Sequence, residues 1–182
     1  MKIAIIGSST GGPFILEEIF TRFPVHSIAI IIVQHLPPAF ISTFRGHIAA
    51  LTTMKVSIGE AGHQISEREI IIAPAGKHMI LEKNRIIRFD DGEKLHGVKP
   101  AVDRTMLSLR QIDGDRLLGI ILTGMGQDGS AGIIHIRSLG GQTIVQDPST
   151  APIRSMPQAA LDTGKVTDIL TPKEISRHLQ TF

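Results

Sequence analysis

Lys2-Ile3-Ala4-Ile5-Ile6-Gly7-Ser8-Ser9-Thr10-Gly11-Gly12-Pro13 runs from an apolar, β-branched segment through a loop of Gly, Ser and Thr into an amphipathic stretch. Ile3 to Ile6 is apolar at every position, which suits a strand buried on both faces of a parallel sheet. Pro13 fits the first turn of the helix that follows, where Leu16, Ile19, Phe20 and Phe23 recur at helical spacing and Glu17 and Glu18 face water. A strand, a tight turn and a helix in that order set a hydroxyl at a bend and aim the first free N–H groups of the helix at the same point. Such a place can hold an anion or attack a carbonyl.

The same alternation continues along the chain. Ile28-Ala29-Ile30-Ile31-Ile32-Val33 is a second apolar run, breaking off at Gln34-His35-Leu36-Pro37-Pro38, and a helix is expected from Ala39 to Leu51 with Phe40, Phe44, Ile48 and Leu51 on one face. Val56 to Ala61 reads as a short strand. Ile70 to Pro74, Met79 to Leu81 and Ile86 to Phe89 read as short β pieces of an antiparallel excursion, with a hairpin turn at Lys83-Asn84. A helix from Ala101 to Ile112 carries Val102, Met106 and Leu109 inward. Leu117 to Leu122 is a third buried strand, and it ends in Thr123-Gly124-Met125-Gly126-Gln127-Asp128-Gly129. A helix from Ala131 to Leu139, a strand from Gln142 to Gln146, a short helix around Pro157 to Leu161 and a last helix from Pro172 to Leu179 complete the pattern. The fold class is therefore α/β: a doubly wound, mostly parallel sheet with helices on both faces and a small antiparallel β-hairpin annex.

With 182 residues, 42% of them hydrophobic, the chain fits a single domain with a sizeable core, expected to span 1–182. A formal net charge of +2 gives no reason to expect a nucleic-acid partner, and the pI of about 9.2 modestly favours an acidic one. There is no cysteine, so disulfides, zinc-thiolate sites and thiol catalysis are excluded. No apolar run reaches the roughly 18 residues of a membrane span, and no signal-peptide pattern precedes the first strand. The expectation is a cytoplasmic protein without membrane insertion. The eight histidines show no His-x3-His or similar pair, so neither a metal nor another cofactor is expected.

In doubly wound folds the ligand sits beyond the carboxyl ends of the strands, where the three unusual loops should meet. Read alone, the Gly-rich loop is a close-packed turn. It lacks the GxGxxG spacing, no Lys follows its glycines, and Gln34-His35 stands where an acid would hold a ribose. His35 alone is an ordinary histidine at a strand end, and Asp128 alone reads as a helix cap. Together they supply the roles of a nucleophile, its base and the group that orients the base. The rival reading is a non-catalytic anion- or nucleotide-binding module, with the helix N-terminus holding a phosphate or carboxylate. Neither Ser8 nor Ser9 is singled out by this reasoning.

The chain resembles the chemotaxis protein-glutamate methylesterases, the CheB family. The likeness rests on Ile6-Gly7-Ser8-Ser9-Thr10-Gly11-Gly12, Val33-Gln34-His35-Leu36-Pro37-Pro38, Ile72-Ala73-Pro74 with Lys77-His78-Met79, Leu122 through Gly129, and Met156-Pro157, in that order along nearly the whole chain. It implies Ser9 as nucleophile, His35 as base, Asp128 as its orienting group, and the backbone N–H groups of Thr10 and Met125 as oxyanion donors. It further implies hydrolysis of glutamate methyl esters on the cytoplasmic helices of chemoreceptors, and the same machinery would serve glutamine deamidation. Lys77, His78 and Arg104 are candidates for a basic substrate mouth; Lys99 fits a solvated surface charge better. Family members usually carry a phosphoacceptor receiver domain ahead of the esterase. None is expected within this chain, so such a domain or protein would be a separate regulatory partner.

Overall fold

The computed structural model describes residues 1–112 and 114–182. Its elements are, in chain order, β1 (Lys2–Ser8), α1 (Gly12–Phe20), β2 (Ala29–Gln34), α2 (Ile41–Leu51), β3 (Lys55–Ile58), β4 (Glu69–Ile72), β5 (His78–Leu81), β6 (Ile87–Asp90), α3 (Val102–Ser108), β7 (Arg116–Ile121), α4 (Ser130–Ser138), β8 (Gln142–Gln146), α5 (Ser155–Asp162), β9 (Asp168–Leu170) and α6 (Pro172–Thr181). Seven strands form one sheet in the order β3-β4-β2-β1-β7-β8-β9, every neighbouring pair parallel, while β5 and β6 form a separate antiparallel ribbon. The chain winds outward from β1 in one direction and then in the other. The topological switch therefore lies at β1, between β2 and β7.

The alternation of β1 sorts the core into two halves. Ala4 and Ile6 join Leu16, Ile19 and Phe20 of α1, Phe44 and Ile48 of α2, and Ile175 and Leu179 of α6. Ile3 and Ile5 join Val102 and Met106 of α3, Ile133 and Ile136 of α4, and Ala160 of α5. A strand covered on both sides has no polar face to show, which is why the run is apolar throughout. Each fully buried isoleucine contributes about 1.5–3 kcal/mol relative to exposure.

Two local expectations are corrected and one strand is added. The Ile70–Ile72 segment does not belong to the antiparallel excursion: β4 pairs in parallel with β2 and β3, all four of its residues are buried, and only β5 and β6 make the ribbon. The helix expected through Ile112 stops at Ser108, whose hydroxyl donates to Thr105 O at 2.7 Å and accepts Leu81 N–H at 2.9 Å, as Leu109 turns extended. A hydroxyl bonded back to the helix competes with the next backbone turn. Finally, β9 was missed because it is a three-residue edge strand with Ile169 half exposed, and it carries no apolar run. Among the described residues no helix is long and apolar enough to cross a membrane.

Candidate active site

Three loops leave the carboxyl ends of β1, β2 and β7, and backbone bonds hold them together. His35 N–H donates to Ser8 O at 3.0 Å, and Ser9 N–H donates to Thr123 O at 3.0 Å. These continue the parallel ladders one step beyond the strands, so Ser9, His35 and Thr123 emerge side by side. Thr123 then binds outward: its one hydroxyl proton has Thr10 O and Ile153 O in reach at 3.0 and 3.1 Å, and its N–H donates to Gln146 Oε1 at 2.9 Å.

The two adjacent serines have different fates. Ser8 is fully buried and its hydroxyl donates to Gln34 Oε1 at 2.6 Å. Ser9 is half-buried, and its hydroxyl has no hydrogen-bond partner among the described residues. Gln34 spends its other end on the same loops, Nε2 donating to Ser9 O at 2.9 Å and to His35 O at 3.0 Å. One buried amide thus ties the serine turn to the histidine turn. A Cβ on Gly124 would lie 2.7 Å from Ser9 Cβ, so only glycine lets the β7 loop pass this close to the serine.

His35 Nε2–H donates to Asp128 Oδ2 at 2.9 Å, and the carboxylate is almost wholly buried. With Nε2–H spent there, Nδ1 is the ring nitrogen left to accept a proton. Asp128 does not cap the helix that follows it, because the cap position of α4 is Gly129. Its carboxylate turns to α3 instead, where Oδ2 accepts Val102 N–H at 2.7 Å and Oδ1 accepts Asp103 N–H at 2.9 Å. Three donors fix its orientation, two of them from a helix start that favours negative charge. The amides of Thr10 and Met125 donate to no acceptor among the described residues, and both residues are exposed.

Behind Asp128 sits a second carboxylate–imidazole pair. Asp103, also buried, accepts His96 Nε2–H at 2.8 Å and Gly132 N–H of α4 at 2.7 Å. Burial pushes the Asp103 carboxyl above its ordinary range, against the pull of Gly132 N–H and His96 and with a further push from Asp128. His96, Asp103 and Asp128 each place a potential ligand atom within 4.8 Å of the others, but the two carboxylates already accept N–H donors.

The residues expected at a basic mouth do not act together. His78 is fully buried, with Nδ1 accepting Ala101 N–H at 3.1 Å and Nε2 donating to Glu93 O at 2.9 Å, so it lines no opening. Lys77 is exposed, its ammonium 5.0 Å from the centre of the Phe89 ring. Arg104 is exposed as well and reaches Asp90 at 3.7 Å, while Lys99 donates to Gly92 O at 2.8 Å. Gln34, Thr123, Asp103 and His96 were not foreseen. Gln34 did leave a trace, as the polar residue that ends a buried apolar run.

The family model described as CheB methylesterase matches residues 4–179. A protein-glutamate methylesterase/protein-glutamine glutaminase of Symbiobacterium thermophilum is 36% identical over 176 residues, covering 96% of this chain and 49% of that protein. One of the same name from Pyrococcus abyssi is 39% identical over 178 residues, covering 95% of this chain and 48% of its own. Among solved structures, the Thermotoga maritima CheB methylesterase catalytic domain superposes with a TM-score of 0.92 at 32% identity, over 99% of this chain and 97% of that one. The chain spans about half the length of the curated relatives it matches.

Proposed function

Because the chain belongs to the CheB methylesterase family, we propose that it is a serine hydrolase of glutamate methyl esters, acting on the methylated cytoplasmic helices of chemoreceptors. The observation that carries this reading is the buried Asp128 carboxylate on His35, beside a free Ser9 hydroxyl on the neighbouring strand end. Ser9 Oγ attacks the γ-carbonyl as His35 Nδ1 takes its proton, and the resulting imidazolium is stabilised by Asp128. The oxyanion is met by the N–H groups of Thr10 and Met125, each supplying about 3 kcal/mol in the transition state. His35 returns the proton to the departing methoxide, so methanol leaves. Water deprotonated by His35 then cleaves the acyl-enzyme, giving glutamate and restoring Ser9.

With ammonia leaving in place of methanol, the same steps deamidate glutamine, the second activity in the names of the relatives. A receiver domain or protein is the regulator in this reading, and the setting is the cytoplasm, where the receptor helices lie. The test is methanol release from methylated receptor membranes. The wild-type protein releases methanol, and Ser9→Ala loses at least about 10³-fold of the rate while folding normally. A Ser9→Ala protein that still hydrolyses the ester at the wild-type rate overturns the assignment.

A further inference from the structure

We propose that Asp103 and His96 are positioning residues for His35, a second carboxylate–imidazole couple that holds Asp128 in register and adds negative charge behind it. The inference rests on the reading of His35 as the base. Its geometric basis is a reciprocal brace between two helix starts. Asp128, just ahead of α4, accepts the Val102 and Asp103 amides of α3 at 2.7 and 2.9 Å. Asp103 returns the contact by accepting Gly132 N–H of α4 at 2.7 Å. Neither helix can shift without pulling on the carboxylate that orients His35. Such outer partners fix the orientation and basicity of the imidazole they support.

His96 is delivered to this brace at a conformational cost. It sits with φ 54° beside Gly97 at φ 77°, in a two-residue turn closed by paired backbone bonds between Leu95 and Val98 of 3.2 and 3.0 Å. A left-handed non-glycine residue is uncommon, and here it carries the imidazole that reaches Asp103. His96 also lines an open cleft with Gly126, Gln127, Ser155, Gln158 and Asp162, next to Met125. Asp128 and His96 are the charged groups acting on Asp103. His35 lies beyond Asp128, Asp162 faces His96 across the cleft from α5, and Arg104, the next residue on α3, turns to Asp90.

The sign of the effect follows from Coulomb's law. A negative Asp103 favours the imidazolium that His35 becomes when it takes the serine proton. Asp103→Asn keeps an acceptor for Gly132 N–H and removes the charge. The expected result is a kcat about tenfold lower with KM within about twofold, and an acid limb of the pH–rate profile displaced to lower pH. His96→Asn, which tolerates the left-handed turn but is too short to reach Asp103, should lower kcat by about threefold in the same direction. The two changes should not add, because they break one couple. The downfield proton resonance of His35 Nε2–H should move in both variants, and this reads the coupling without any substrate. A shifted resonance without methanol release by the wild-type protein would count against the methylesterase reading and leave the coupling intact. Unchanged kcat, acid limb and resonance in His96→Asn overturn the proposal even if Asp103→Asn fails to fold. So does a loss of rate that merely tracks melting temperature.

Discussion

At the scale of single residues, the site depends on which hydrogen bonds are already occupied. Ser8 and Ser9 are chemically identical neighbours, and position in the sequence does not separate them. The Ser8 hydroxyl is committed to Gln34, which leaves Ser9 as the one without a partner among the described residues. Asp128 carries the sharpest prediction at this scale. Asp128→Asn retains the shape but offers an amide where three donors converge, so the His35 tautomer is lost and kcat should fall by about 10⁴ while the circular dichroism spectrum is unchanged. Asp103 gives a stability test of the opposite kind. Burial raises its folded pKa above the unfolded value. Its contribution is therefore fully present below the ordinary carboxylate range and is lost as pH rises through the folded value. Asp103→Asn escapes that loss, so its melting temperature relative to wild type should be higher at pH 7 than at pH 3. Melting curves at the two pH values decide it.

At the scale of elements, the strand-to-helix turns leave little room. A Cβ on Gly12, the first residue of α1, would lie 2.1 Å from Gln34 Oε1 and 2.9 Å from Ser8 Oγ. Three hydrogen bonds hold the Gln34 amide, so it cannot swing away without releasing both loops. Gly12→Ala should cost about 1–3 kcal/mol in denaturant unfolding and reduce turnover with it. Gly46, exposed in the middle of α2 with nothing within 4 Å of an added Cβ, is the control. There Gly46→Ala should gain about 0.5–1 kcal/mol and leave turnover unchanged. Elements were legible where burial was two-sided, as in the all-apolar runs that became β1, β2 and β7. Others were obscured by partners distant in sequence. Ile70–Ile72 reads equally well as a ribbon strand until β2 and β3 are seen to flank it, and Ser108 ends α3 through a contact with Leu81 that no local pattern announces. His78, expected at the substrate mouth, is held instead between Ala101 N–H and Glu93 O, partners far from it in sequence.

At the scale of the whole molecule, the sheet order separates the chemistry from the bulk of the stability. His35 and Asp128 stand out in the sequence because the β1 switch point gathers polar residues at strand ends, and Ser9 is told from Ser8 only by the family resemblance, whereas the brace from α3 to α4 needs the folded chain. The core on the α1, α2 and α6 side is a continuous apolar cluster to which Ile175 contributes a fully buried side chain. Ile175→Ala should therefore remove about 2–4 kcal/mol from the unfolding free energy, the loss of buried methyl groups plus the cavity left behind. The residue lies on the last helix and packs on the opposite face of the sheet from Asp103 and α4, so kcat at 25 °C should stay within about twofold of wild type as long as the protein remains folded. Urea midpoints and methanol release measured on the same preparations give both quantities. A fall in kcat matching the fall in stability would mean that the serine turn is held by the α1 face as a whole. Independent behaviour would mean that the local bonds of Gln34, Thr123 and Asp128 are sufficient to hold the site.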